Sequence, residues 1–212
     1  MKTIQNSAKY KSIELFLLFF LLPVLLASPI YKYIKFSIVG IAVIYVAYFL
    51  IKAKQWKSPK VDALIKTQFW KRITVFSSAI LILGIVILQI YDPSQLFKVP
   101  QHKPLLWVTI LFVYSFFSVL PQELIYRKFF YMRYESLFQN KKLFFCINVL
   151  CFSLCHLFLK NIWVILITLL GGILFTYTYQ KTKSVTLVAI EHSIYGNLVF
   201  TVGLGTMLAF PG

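Results

Sequence analysis

The sequence is poor in acidic residues: it has only six aspartates and glutamates among 212 residues, against 22 lysines and arginines. Hydrophobic residues make up 59% of the chain and aromatic residues 18%. A soluble globular domain does not have this composition, because its surface needs many charged side chains of both signs. The scarcity of acids therefore excludes a soluble globular protein and predicts one that lies in a membrane.

Several common catalytic motifs are also missing. HExxH, GxSxG and GxxxxGK[ST] do not occur, which excludes the zincin, serine-hydrolase and P-loop classes. No internal repeat is visible, which disfavours a transporter built from inverted repeats. The three cysteines, Cys146, Cys151 and Cys155, lie in one apolar run. An odd number cannot pair fully, so we expect them to behave as small hydrophobic residues.

The apolar runs are long enough to cross a bilayer, since a spanning helix needs about 20 largely apolar residues. They do not alternate as the strands of a membrane barrel do, so the expected fold is an all-α polytopic bundle. Seven or eight helices are predicted, because the last run is long enough to form two helices broken around Gly196. The predicted spans are 13–30, 36–52, 73–91, 105–121, 143–159, 162–179 and 184–209.

The net charge of +16 is distributed unevenly between the predicted loops. Seventeen cations precede the first span or follow spans two, four and six, and five lie in the alternate loops. Cytoplasmic loops of membrane proteins carry such an excess, so the N-terminus is predicted to be cytoplasmic. The basic charge then sets topology and meets anionic lipid, and a nucleic-acid partner is not expected.

The two halves of the chain differ in their polar residues. Residues 1–104 are interpreted as N-terminal transmembrane helices with a basic cytoplasmic connector, in which the segment 53–72 resembles a short interfacial amphipathic helix. The first span has features of a signal peptide, but more spans follow it, so an uncleaved helix is expected. Residues 105–212 hold the polar groups that an apolar helix rarely carries.

Three polar clusters stand out in this second half. The first is Gln122, Glu123 and Arg127, where Glu123 and Arg127 are i,i+4 neighbours that can pair directly. The second is His156, late in an apolar span, and the third is the segment EHSIYGN with Glu191 and His192. Ionisable groups inside spans are costly, so each cluster is a functional candidate.

Each cluster also has a structural interpretation. Glu123 and Arg127 together can simply anchor a helix end, and a lone histidine such as His156 is usually a hydrogen-bonded interior residue. His102 lies in a connector and is interpreted as a surface residue. Taken together, the clusters on three helices can form one site for acid–base chemistry or metal binding.

The ordered clusters resemble the CPBP family, the CAAX-protease and bacteriocin-processing (Abi) membrane proteins. The family pattern is EExxxR, then FxxxH, then HxxxN or a variant, each on a separate helix. This chain has Gln122-Glu123-x-x-x-Arg127, Phe152-x-x-x-His156, and His192 followed by Gly196 and Asn197. The resemblance covers about residues 105–210 and implies an intramembrane endopeptidase.

The resemblance also implies roles for these residues. His156 would help to position the attacking water, Arg127 would hold Glu123, and His192 would face the developing negative charge. Asn197 is a weaker candidate for that last role, because the family asparagine is four residues after the histidine and Asn197 is five. Position +4 is Gly196 instead.

The first glutamate of the family pair is Gln122 here, and a carboxamide cannot act as a general base. Three outcomes are open: Glu123 takes over as the base, Glu191 supplies the carboxylate, or the protein is a catalytically silent relative that acts as an immunity factor or scaffold. A carboxylate paired with arginine makes a poor base, which counts against the first outcome. A proton-relay transporter is a further alternative.

The cofactor, substrate and location are less constrained. Glu123, His156 and His192 suit a three-ligand catalytic zinc, and they equally suit a metal-free mechanism, which we favour. The expected partners are the lipid bilayer and a peptide or membrane-tethered protein substrate, such as a prenylated C-terminal peptide or a leader peptide. A multi-pass location in a bacterial plasma membrane is predicted.

Overall fold

A computed structural model describes residues 7–53 and 59–208. Within these ranges the chain is helical and forms no strand, which confirms the predicted all-α fold class. The described residues contain seven helices that are long and apolar enough to cross a membrane, and these fit a multi-pass membrane protein. They are α1 Ala8–Ala27, α2 Lys32–Ala53, α3 Ala63–Tyr91, α4 Pro104–Leu137, α5 Lys141–Leu159, α6 Ile162–Thr182 and α7 Val185–Val202.

Helix α3 is longer than predicted and absorbs most of the expected interfacial helix. Its N-cap is Asp62, whose side chain accepts a hydrogen bond from the Leu64 backbone at 2.7 Å. No proline or glycine interrupts the segment between Asp62 and Gly84, so the helix continues without a break into the membrane span. The prediction of a separate interfacial helix over 53–72 is therefore wrong for residues 59–72. Residues 54–58 of that segment lie outside the described ranges.

The end of α3 is fixed by a short polar turn. The Ser94 hydroxyl donates to Asp92 at 2.6 Å, and this hydrogen bond lowers the pKa of Asp92. The turn Pro93–Gln95 and the short helix Lys98–His102 then lead to α4. His102 is exposed there, as predicted for a surface residue.

Helix α4 does not end at residue 121, where the apolar run stops. It continues through PQELIYRKFF to Leu137, with wide π-type turns at Tyr114–Val119 and Leu124–Phe129. Pro121 lies between these turns and lacks the N–H of a regular helix, and membrane helices accommodate such a proline by local changes in the helical turn. The polar residues after Pro121 are therefore inside a long helix and not in a loop.

Helix α7 is continuous through Gly196, so the predicted break at that residue is wrong. Ser184 caps its start by accepting from the Leu187 backbone at 3.3 Å. The helix ends at Gly203, whose φ of +121° is strained for any residue with a side chain. A glycine inside a helix weakens it by about 1 kcal/mol but does not by itself end it.

Contacts divide the chain into two compact units. The first unit comprises the described part of Met1–Lys57 with Leu124–Thr176, and the second comprises the described part of Ser58–Glu123 with Tyr177–Gly212. Helices α4 and α6 each contribute residues to both units. The functional division into residues 1–104 and 105–212 stays a prediction.

The first unit has an aromatic core around Phe19, whose ring meets the edges of Tyr126, Phe130 and Tyr134 at centroid distances of 5.3, 5.0 and 5.8 Å. The second unit has a core of Val99, Ile110, Tyr114, Val119 and Phe200. Edge-to-face aromatic packing fixes ring orientation as well as burying apolar area.

A buried ion pair joins three helices of the first unit. Arg133 of α4 donates to both carboxylate oxygens of Glu14 in α1, at 2.9 and 2.7 Å. The hydroxyls of Tyr134 and Tyr45 donate to the same carboxylate, each at 2.8 Å. Glu14 is thus a buried acceptor whose carboxylate binds one arginine and two tyrosine hydroxyls.

Candidate active site

The second unit contains a buried pair formed by Glu123 and His192. Glu123 lies in α4 just after Pro121, and His192 lies near the middle of α7. The Nδ1–H of His192 donates to Glu123 Oε1 at 2.7 Å. The Glu123 side chain is fully buried, and that of His192 is 8% exposed. A carboxylate and an imidazole in this geometry form a charge-assisted hydrogen bond that orients the ring.

The hydrogen bond also fixes the tautomer of His192. With Nδ1 carrying the proton that Glu123 accepts, Nε2 is the basic nitrogen of the neutral ring. Tyr114 of α4 meets the His192 ring edge-on, at a centroid distance of 5.9 Å and an interplanar angle of 83°. The imidazole is therefore held by a carboxylate on one side and packed against an aromatic ring.

Two carboxamides, Gln122 and Asn197, are oriented by serines of α4. Gln122 Nε2 donates to the Ser118 hydroxyl at 2.9 Å, and Asn197 Nδ2 donates to the Ser115 hydroxyl at 3.2 Å. The amide oxygens of Gln122 and Asn197 are buried and have no hydrogen-bond partner among the described residues. A buried carbonyl oxygen without a hydrogen bond lowers stability by about 1–3 kcal/mol. Each of the two amide oxygens can therefore still accept a hydrogen bond from a ligand.

Glu191 is occupied by a separate polar network of the second unit. Arg72 of α3 donates to Glu191 Oε1 through Nε at 3.3 Å and through an NH2 group at 3.0 Å. Thr178 and Tyr195 also donate to this fully buried carboxylate, Tyr195 at 3.2 Å. These donors occupy both oxygens of the carboxylate, so Glu191 is poorly placed to activate water.

Arg72 was assigned from the sequence to a cytoplasmic connector, but its guanidinium lies within the second unit. It packs against the rings of Phe69 and Tyr177, at 5.8 and 5.2 Å from their centroids. Arg72 and Glu191 are 119 residues apart. No local sequence pattern could have paired them, and only the packing of α3 against α7 brings them together.

Arg127 belongs to the first unit and is fully buried there. It donates to Asn148 Oδ1 of α5 at 2.9 Å, and its guanidinium lies 4.9 Å from the centroid of the Phe152 ring. Thr176 also donates to Asn148 Oδ1, at 2.9 Å. Asn148, which the sequence did not single out, therefore fixes the Arg127 side chain.

His156 lies in the first unit, where α5 changes from a regular helix to a tighter turn at Leu157–Leu159. Its Nδ1 is 3.1 Å from the Phe152 carbonyl oxygen and 3.2 Å from Cys155 Sγ, and its ring meets Phe152 at 5.4 Å. Phe152 of the FxxxH motif thus contacts both Arg127 and His156.

The predicted site residues therefore fall into two groups. Gln122, Glu123, His192 and Asn197 belong to the second unit, and Arg127 and His156 belong to the first. Within the second unit, Glu123 and His192 are in direct contact. A single site that includes Arg127 and His156, and the i,i+4 pairing of Glu123 with Arg127, stay predictions.

A metal site is not evident in the part of the chain that the structure describes. It contains no group of three or more histidine, cysteine, aspartate or glutamate side chains arranged to hold a metal ion. Glu123 Oε1 and His192 Nδ1, both ligand types for zinc, are hydrogen-bonded to each other. The proposed ligand set of Glu123, His156 and His192 stays a prediction.

Comparison with known proteins agrees with the motifs. A family model described as Type II CAAX prenyl endopeptidase Rce1-like matches residues 104–198, a segment that contains all three polar clusters. No curated protein and no solved structure matches the chain. Residues 104–198 are therefore similar to the Rce1-like family of CAAX prenyl endopeptidases, which confirms the resemblance that the three motifs predicted.

Proposed function

We propose that this protein is an intramembrane endopeptidase in which His192, oriented by Glu123, is the general base. The observation that carries the proposal is the 2.7 Å hydrogen bond between His192 Nδ1 and Glu123 Oε1. It directs the basic Nε2 away from the carboxylate and stabilises the imidazolium that forms when Nε2 takes a proton. The similarity of residues 104–198 to a protease family supports the same reaction class.

Peptide hydrolysis by this pair conserves every proton. Nε2 of His192 removes a proton from a water molecule, and the water oxygen attacks the peptide carbonyl carbon. The tetrahedral intermediate collapses as the C–N bond breaks, and the proton held by Nε2 passes to the leaving nitrogen. A carboxyl group and an amine are formed, and His192 returns to its neutral form.

The base proposed here accounts for the glutamine at position 122. Gln122 cannot accept a proton, and Glu191 is occupied by Arg72, Thr178 and Tyr195. Glu123 is buried and serves better as the partner that orients His192 than as a base in direct contact with water. His156 is proposed to assist in positioning the water, as the family resemblance implies.

The proposed substrate is a peptide that the membrane brings to the site, either a prenylated C-terminal peptide or a leader peptide. Apolar side chains exposed along the seven helices suit contact with lipid, and a lipid-anchored or apolar peptide would reach the site from the bilayer. We further propose a bacterial plasma membrane location with a cytoplasmic N-terminus. Labelling of a Ser94→Cys variant by an impermeant maleimide on intact cells tests this orientation, since residue 94 would then be external.

A cleavage assay with purified protein tests the proposed function. The substrates are a farnesylated fluorogenic CAAX-type peptide and the same peptide without the lipid, each with and without a chelator. We expect cleavage by the wild type, and a loss of about 10²–10⁴-fold in His192→Ala, the usual contribution of a general base. Loss of activity with chelator would assign the reaction to a metal and not to His192 alone.

A silent relative that binds peptide is the second candidate, and Gln122 is the observation that favours it. The amide is held by Ser118 at 2.9 Å and can bind a peptide group without activating water. In that case the wild type would bind the farnesylated peptide without cutting it, and Gln122→Glu would gain activity. Cleavage by the wild type that Gln122→Glu does not raise would exclude this candidate.

A further inference from the structure

Gly196 and Tyr114 are in close contact beside His192. Gly196 is one helical turn after His192 in α7, so the two residues share a face of the helix. A Cβ atom built on Gly196 would overlap the hydroxyl oxygen and the ring of Tyr114. The glycine therefore makes room for the tyrosine, whose hydroxyl lies against the His192 face of α7.

The Tyr114 ring has little freedom to leave this position. It is 8% exposed and belongs to the core of the second unit, where it meets the edge of Phe200 at a centroid distance of 4.7 Å. It also meets the His192 ring, at a centroid distance of 5.9 Å. A ring packed against these neighbours places its hydroxyl at a fixed point, which is what a preorganised hydrogen-bond donor requires.

The chemistry of the phenol suits an electrophilic role. A tyrosine hydroxyl is protonated at neutral pH and donates one hydrogen bond. The resemblance offered two residues for this role, His192 and, as a weaker candidate, Asn197. His192 is the proposed base instead, and Asn197 lies about 100° around α7 from Gly196 and donates to Ser115 at 3.2 Å. Tyr114 is thus the donor on the face that carries His192.

We propose that Tyr114 is a catalytic residue that donates its O–H to the substrate carbonyl oxygen as that oxygen becomes negative. This inference rests on the proposed endopeptidase function. When the water oxygen bonds to the carbonyl carbon, the electron pair of the C=O bond moves to the oxygen, and the Tyr114 hydrogen bond stabilises it. The proton stays on Tyr114, and the bond reforms when the amine leaves.

The first test compares Tyr114→Phe with Tyr91→Phe. Both variants lose one phenolic hydroxyl. Tyr91, however, is 82% exposed at the end of α3, whereas His192 lies in α7. Removal of an oxyanion donor costs about 10²–10³-fold in kcat. We expect Tyr114→Phe to lower kcat on the farnesylated peptide about 10²-fold with KM within about twofold, and Tyr91→Phe to match the wild type.

The second test moves the hydroxyl without removing it. In Gly196→Ala the new Cβ displaces the Tyr114 hydroxyl, so we expect a similar loss of kcat. The double variant Tyr114→Phe/Gly196→Ala should be no less active than the worse single variant, because both changes remove the same interaction. If Gly196→Ala does not elute as a folded protein, Tyr114→Phe alone decides, since it keeps the ring.

The outcomes separate this inference from the proposed function. Wild-type kcat in Tyr114→Phe, or independent losses that multiply in the double variant, would overturn the role of Tyr114 and leave His192 as the base. Absence of cleavage by the wild-type protein would overturn the proposed function and this inference with it. A rise in KM without a change in kcat would make Tyr114 a packing residue only.

Discussion

A glutamate and a histidine can remain buried in an apolar helix bundle only if each satisfies the other. Glu123 is fully buried, and burying an isolated charge or an unpaired imidazole would cost several kcal/mol. The hydrogen bond to His192 offsets part of that cost and at the same time selects one tautomer. The hydrogen bond that makes burial tolerable therefore also orients the His192 ring, as the proposed role of a base requires.

At this scale the hydrogen bond can be observed directly, because the chain has only three histidines. In the proton NMR spectrum of 15N-histidine-labelled protein, the Nδ1 proton of His192 should appear far downfield, as expected for a short bond to a carboxylate. In Glu123→Gln the acceptor is neutral, so this resonance should move upfield.

His102 provides the internal control for this measurement. It is exposed, and its Nδ1 lies 3.0 Å from the Lys98 carbonyl oxygen, so its signals should not respond to Glu123→Gln. An identical His192 spectrum in wild type and variant would mean that Glu123 does not hold the ring.

At the scale of the elements, polar side chains set the rotation of helices that apolar packing alone leaves undetermined. The faces of α3 and α7 are apolar over most of their length, and lipid is as apolar as another helix. Arg72 and Glu191 supply a directional contact between these helices. Because Glu191 directly precedes His192, this contact also fixes the angle at which His192 leaves α7.

We expect Arg72→Ala to destabilise the protein, because it leaves the Glu191 carboxylate buried with fewer donors. Removing one partner of a buried pair costs about 3–5 kcal/mol, and the lower end applies because the Arg72 side chain is 20% exposed. Thermal unfolding in detergent measures the effect. Lys71→Ala is the matched control, since Lys71 is the exposed neighbour on the same helix, and an equal loss in both would contradict the assignment.

The same reasoning applies to the buried pair of Glu14 in α1 and Arg133 in α4. Glu14→Gln should lower the unfolding temperature clearly, because Arg133 is left as a buried charge without its carboxylate, again at a cost of about 3–5 kcal/mol. Glu135→Gln removes the exposed pair with Lys141, whose side chains are 38% and 65% exposed, and should cost at most about 1 kcal/mol. Equal effects would show that the Glu14 pair adds no stability.

At the scale of the whole molecule, the chain is a multi-pass membrane protein whose few acids are not spread over a surface. Among the described residues, Glu14, Glu123 and Glu191 are buried, and each contacts a cation or an imidazole. The scarcity of acids that first indicated a membrane protein therefore also marks the positions where polar contacts are built. The count of cations that predicted the orientation included Arg72, Arg127 and Arg133 as loop residues, although all three lie in helices.

Much of this arrangement was accessible from the sequence. Apolar length predicted an all-helical membrane protein, and three short motifs predicted the family that matches residues 104–198. These features are local, because the cost of an unsatisfied backbone in lipid forces each apolar run of sufficient length into a helix. Where the prediction was wrong, as at residue 121 and at Gly196, composition changed along the helix but the hydrogen-bonded backbone did not break.

The partners of the polar side chains were decided only by the tertiary structure. The sequence named Glu123, His192 and Gly196, but it did not indicate that the first two bond to each other or that Tyr114 fills the space of the third. It gave no reason to join Arg72 to Glu191, or Glu14 to Arg133. These contacts join residues distant in the sequence, and which pairs meet depends on the rotation and depth of packed helices, a property that no single helix contains.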